Sequence, residues 1–202
     1  MNNCVFCDFK ALSPNVITTI RGLNAVATLG QITDGGYLLL VPFSHIECMA
    51  KFSRDHIEIL GKVSREVQGA ISEEYGGGVT LFEHGIVGQT IKHAHLHLIP
   101  ASIDMTERII SDFPHCDIHE LKDFQQLRKL YCVYQSPYLF WSRPDGRYMV
   151  CWNPSAPDMY LRLLATELLG VPERGNWRDM DPILDKKLRE DTQERLIPYF
   201  IP

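Results

Sequence analysis

The chain has 202 residues, 45% of them hydrophobic, which is enough for a full core in one domain or one domain with an appended element. Its formal charge of −5 argues against a protein that holds extended nucleic acid by a general field, since phosphate contacts need clustered Lys and Arg. No stretch approaches the roughly 18 to 20 apolar residues of a membrane span, and Met1-Asn2-Asn3-Cys4 lacks a basic region before an apolar one, so a cytoplasmic protein with no membrane partner is expected. Six cysteines without a secretory signal read as reduced thiols or metal ligands. Cys48, Cys116, Cys132 and Cys151 are isolated and read as structural, whereas Cys4 and Cys7 are paired.

In chain order, Val16 to Ile20 and Ala25 to Leu29 are short β-prone runs around Arg21-Gly22, which predicts a hairpin. After the turn Asp34-Gly35-Gly36, the run Tyr37 to Val41 is apolar on both faces and stops at Pro42, as a buried strand does. From Ser53 to Glu74, Ile57, Leu60, Val63, Val67 and Ile71 recur every three or four residues. This predicts one long amphipathic helix, with Ser53 as N-cap and Gly76-Gly77-Gly78 as its stop. Strands are predicted at Val79 to Glu83 and Lys92 to Ile99, joined by the glycine-containing loop His84 to Thr90.

Beyond Pro100 the segments are shorter and more polar. Helices are predicted near Asp117 to Lys129, Asp158 to Leu169 and Pro182 to Arg195, and a hairpin is formed by Tyr138 to Trp141 and Arg147 to Trp152. No linker rich in Ser, Gly or Pro intervenes, so residues 1–102 read as a core and 103–202 as an extension packed on it. The fold class expected is α+β, with an antiparallel sheet of about five strands, the long helix, and a helical C-terminal part.

The chemistry concentrates in the segment from Gly88 to Pro100. On a strand from Lys92, side chains alternate, so His93, His95 and His97 would share one face while Ala94, Leu96 and Leu98 anchor the other. Imidazoles in that row can act as nucleophile, proton donor or metal ligand. The plain alternatives are a solvated strand face and a three-histidine metal site. Same-face neighbours roughly 7 Å apart make it hard for one ion to take all three. Cys4-x-x-Cys7 has knuckle spacing for two thiolate ligands, or is a pair of small buried side chains near the N-terminus.

The pattern His93-Ala94-His95-Leu96-His97, preceded by Gly88-Gln89-Thr90, resembles the histidine-triad superfamily; so do Leu38 to Val41 with Pro42 and His45, and the N-terminal Cys4-x-x-Cys7. With Phe82-Glu83-His84-Gly85, it looks like a bacterial branch of that superfamily. The resemblance implies that His95 attacks the α-phosphorus of a nucleotide, that His97 binds the phosphate and assists the leaving group, and that Gln89 and Thr90 hold nonbridging oxygens. It also implies a structural zinc ion on Cys4, Cys7, His45 and His93, a nucleotide-type small-molecule substrate and a homodimer.

Two positions depart from the pattern: Leu29 stands where relatives carry an Asp or Asn for the ribose hydroxyls, and Tyr37 where many carry a histidine. His56, His84, His115 and His119 read as surface or loop residues, with His84 nearest the site. The function expected is a nucleotidyl hydrolase or transferase, and the alternative from another class is a non-catalytic nucleotide-binding or regulatory module.

Overall fold

The computed structural model describes residues 4–201. A short helix α1 (Phe9–Leu12) leads into the hairpin β1 (Val16–Ile20) and β2 (Leu23–Ala27), followed by β3 (Leu38–Pro42), helix α2 (Arg54–Tyr75), β4 (Thr80–Gly85) and β5 (Leu96–Ile99). The second half contributes α3 (Thr106–Asp112), β6 (Asp117–Leu121), α4 (Phe124–Tyr134), β7 (Tyr138–Ser142), β8 (Tyr148–Trp152), α5 (Tyr160–Leu168) and α6 (Pro182–Leu196).

The β1–β2 turn is Arg21-Gly22, both at positive φ, the geometry by which a two-residue hairpin matches strand twist. Helix α2 begins where Ser53 accepts the His56 backbone N–H and ends at Gly76, whose φ of 74° few other residues adopt readily. Its stripe Ile57, Leu60, Val63, Val67 and Ile71 is buried. Each such side chain contributes roughly 1.5–3 kcal/mol of apolar burial.

All strands join one eight-stranded antiparallel sheet in the order β1-β2-β3-β5-β4-β7-β8-β6. The expectation of about five strands with a merely helical extension is therefore corrected. β7 pairs directly with β4, Phe82 opposite Trp141 and Gly85 opposite Tyr138, so the second half continues the sheet of the first. The helix expected over Asp117 to Lys129 is strand β6 followed by α4, which starts where Asp123 accepts the Gln126 N–H.

Both sheet faces are covered. On one, α2 and α4 pack over Leu38, Leu40, Leu81, Leu98 and Phe140. On the other, α3 and α5 pack over Tyr37, Leu39, Phe82, Leu139 and Trp141. Among the described residues, no helix is long and apolar enough to cross a membrane.

Candidate active site

A cavity of about 390 Å³ opens on the α5 side of the sheet, walled by the N-terminal segment, β2, the loop after β4 and α5. Phe6, Leu12, Val26, Leu29 and Trp177 give it an apolar lining, and the polar groups that reach it include His84, His95, His97 and Arg162. Among the described residues, no carboxylate lines it. Two glycines let the second half approach. A Cβ on Gly30 (φ +72°) would lie 2.4 Å from Cβ of Trp177, and one on Gly88 (φ +73°) 2.9 Å from the Pro157 carbonyl oxygen. Gly88 also accepts the Met159 backbone N–H at 2.8 Å, fastening the loop to the start of α5.

The three triad histidines do not stand in one row. β5 begins only at Leu96, so His93 lies in a bend, its N–H 2.8 Å from the Ile91 carbonyl, and His95 in the irregular stretch that leads into the strand. His97 sits opposite Leu39 and Phe82 in the two neighbouring strands, its ring stacked on Phe82 at 4.1 Å. His95 and His97 face the cavity, with ring centroids 4.8 Å apart. His93 turns away into a cluster with Cys4, Cys7 and His45. The anticipated continuous strand from Lys92 is corrected accordingly. The Ala94 N–H goes to the Ile46 carbonyl at 2.6 Å instead of to a strand ladder.

Hydrogen bonds assign the ring protons. His95 Nδ1 lies 2.6 Å from the His93 carbonyl oxygen, which can only accept, so Nδ1 carries the proton and the Nε2 lone pair is free. Burial first, then the nearby His93, lowers the His95 pKa to about 4, keeping the ring neutral at physiological pH. His97 Nδ1 is 2.5 Å from the Tyr37 hydroxyl, while its buried Nε2 has no protein partner. Its pKa too is pushed well below the ordinary value, chiefly by burial. His84 accepts the Leu161 backbone N–H on Nε2 at 3.0 Å, and burial lowers its pKa to about 3.

The metal candidates expected from sequence meet: one ligand atom from each of Cys4, Cys7, His45 and His93 lies within 4.8 Å of every other. Cys4 Sγ and Cys7 Sγ are each 3.5 Å from His93 Nδ1, and Cys7 Sγ is 3.3 Å from His45 Nδ1. A tetrahedral zinc ion with Zn–S about 2.3 Å and Zn–N about 2.0–2.1 Å has S···N edges of about 3.6 Å, so the donor set fits that ion. His93 Nε2 donates to the Pro42 carbonyl at 2.9 Å, leaving Nδ1 unprotonated toward the cluster.

Gln89 is buried; its amide N–H donates to the Glu47 carbonyl at 2.8 Å and its Oε1 has no partner. Thr90 is exposed, and Leu29, 45% exposed, is also part of the cavity lining. Tyr37 is fully buried behind His97.

Sequence reasoning placed His84 on the surface or in a loop; it is a buried strand residue, because β4 runs on to Gly85 and sets its ring beside Phe82 and His97. The shared face of Phe82 and His84, two residues apart, was the available signal. His119 is likewise on a strand, its Nε2 2.7 Å from the Tyr134 hydroxyl. Phe6, Met159, Arg162 and Trp177 were also missed. Arg162 is one charged residue in an amphipathic helix, and nothing local marks it as buried.

A sheet whose adjoining strands hold His97 against Tyr37 and Phe82, entered through His93 and His95, belongs to the histidine-triad superfamily. Within it, residues 3–110, over half of the chain, match the family described as scavenger mRNA decapping enzyme C-term binding, and the chain belongs to that family. Two similar solved structures are a hypothetical histidine triad nucleotide-binding protein from Sulfolobus tokodaii strain7 and a HIT family hydrolase from Clostridium thermocellum. The first is 23% identical with TM-score 0.42, over 48% of this chain and 68% of that one. The second is 22% identical with TM-score 0.38, over 52% of this chain and 95% of that one. No curated protein matches the chain.

Proposed function

We propose that the protein is a nucleotidyl hydrolase or transferase that attacks a nucleoside phosphate derivative through His95. The observation that carries this reading is the His95 tautomer: its Nδ1–H is committed to the His93 carbonyl, leaving a neutral Nε2 lone pair at the cavity. A neutral, oriented imidazole is a competent nucleophile near pH 7. Membership of the family favours the same reaction class.

In the proposed sequence His95 Nε2 bonds to the α-phosphorus as the bond from phosphorus to the leaving oxygen breaks. His97 donates a hydrogen bond from Nε2 to the phosphoryl group and assists departure of the leaving group. Gln89 and Thr90 contribute at the nonbridging oxygens. Water or a second acceptor then attacks phosphorus, and the P–N bond breaks to restore His95. Cys4, Cys7, His45 and His93 would hold a zinc ion, which supplies a rigid anchor for the segment carrying His95 when bound. Residues 1–102 carry the reacting groups and 103–202 close the cavity.

The test is to incubate the protein with nucleoside polyphosphates, a nucleotide sugar and a nucleoside phosphoramidate, and to look for a nucleotidyl mass adduct. The adduct is expected on the natural sequence and absent from His95→Ala, which should fold because the ring is not part of either apolar core. Turnover by His95→Ala above a few per cent of the natural rate would overturn the assignment, and binding without any adduct or turnover would favour a binding module.

A further inference from the structure

We propose that Arg162, supplied by α5, is a positioning residue for the candidate site: through Tyr37 it decides which ring nitrogen of His97 carries the proton. The proposal rests on the reading of His95 and His97 as the reacting pair, but its central test does not require turnover.

Arg162 is 4% exposed and, among the described residues, has no ion-pair partner. Its guanidinium is held by backbone carbonyls instead. Nε donates to Gly175 O at 2.7 Å, and Nη2 to Gly30 O at 2.7 Å and Arg174 O at 3.0 Å. These bonds fix the fork and aim Nη1 at the Tyr37 hydroxyl, 3.4 Å away, with the guanidinium carbon 5.5 Å from the centroid of the Tyr37 ring. A buried cation without a carboxylate is costly, and this one sits at the cavity that holds the histidines.

Arginine has donors only. Its N–H therefore occupies a lone pair of the phenol oxygen, and the single phenolic proton is turned toward its other partner, His97 Nδ1, at 2.5 Å. Burial pushes the Tyr37 pKa up against the opposing charge of Arg162, so the phenol keeps that proton. A neutral His97 accepting on Nδ1 must carry its own proton on Nε2, the buried nitrogen without a protein partner. The relay Arg162 to Tyr37 to His97 thus presents an N–H donor to a phosphoryl oxygen or departing oxygen, and the residue that directs it comes from the second half of the chain.

Imidazole 15N–1H correlation spectra of the free protein read the tautomer of His97 directly. The natural sequence should show the Nε2–H form, and Arg162→Gln should shift His97 toward a mixture or the Nδ1–H form. Should that variant not fold, Tyr37→Phe, which removes the phenol and leaves Arg162, is expected to release the tautomer in the same way. A natural protein with Nδ1–H on His97, or a folded variant that keeps the Nε2–H form, would overturn the proposal whether or not His95 is the nucleophile.

On thymidine 5′-monophosphate esters, Arg162→Gln should lose about 10- to 100-fold with a methyl leaving group and less than about threefold with p-nitrophenyl, since only the poor leaving group needs the donor. Equal losses on both esters would reduce Arg162 to a purely structural role.

Discussion

Glu83 alternates with the site-facing residues of β4 and points to the opposite side of the sheet, where it is fully buried. Its Oε1 accepts the Met49 backbone N–H at 2.7 Å and its Oε2 the Tyr138 hydroxyl at 2.5 Å, with Cys48 the other titratable neighbour. Burial outweighs both hydrogen bonds and raises the carboxyl from 4.5 to about 8. The unfolded chain releases this proton near pH 4.5 and the folded protein near pH 8, so the stability is full below 4.5 and is lost as the pH rises through that window. At about 1.4 kcal/mol per pH unit, the loss approaches about 5 kcal/mol before levelling off. Glu83→Gln, isosteric with the protonated carboxyl, removes the titration. Urea unfolding followed by the fluorescence of buried Trp141 and Trp152 at pH 5, 6.5 and 8 should show the natural protein losing about 4 kcal/mol relative to the variant across that range. Parallel pH profiles for the two proteins would refute the argument that Glu83 is held neutral.

Two further predictions concern the site. Purified protein should contain about one zinc ion per chain, lost on Cys4→Ser or on treatment with a strong chelator together with a lowered melting temperature; a metal-free preparation that melts at the same temperature would return Cys4 and Cys7 to an apolar role. Leu29→Asp should bind adenosine monophosphate roughly 10- to 100-fold more tightly, since a carboxylate accepting from both ribose hydroxyls is worth about 1.5–3 kcal/mol and the cavity lining includes none. Equal affinities by calorimetry would mean that other residues already bind the ribose.

Local pattern was sufficient for α2, in which Ile57, Leu60, Val63, Val67 and Ile71 form one buried stripe, and for the β1–β2 turn, encoded in two adjacent residues, although β2 runs Leu23–Ala27 and not Ala25 to Leu29. Spacing marked Cys4 and Cys7 as a pair, whereas His45 and His93 were reached only through the resemblance to the histidine-triad superfamily, since Cys4 and His93 are 89 residues apart. The continuity of the sheet was not legible. The pairing of Phe82 with Trp141 leaves no mark on either segment, and β6 was misread because Ile118 and Leu121 fit a helical spacing as well as a strand. Arg162 was invisible for a related reason: its burial depends on carbonyls at Gly30, Arg174 and Gly175, which only tertiary structure brings together.

The position of β7 along β4 has a consequence for assembly. It closes the strand edge nearest the triad, so among the described residues the sheet's free edges are β1 and β6. β2 and β3 separate β1 from the histidine strand β5, and β8, β7 and β4 separate it from β6. A second copy joining by strand addition at either end would lengthen the sheet without replacing any wall of the cavity, which α5 and Trp177 of the same chain already close. Strand addition at either edge would therefore leave His95, His97 and the walls around them within one chain.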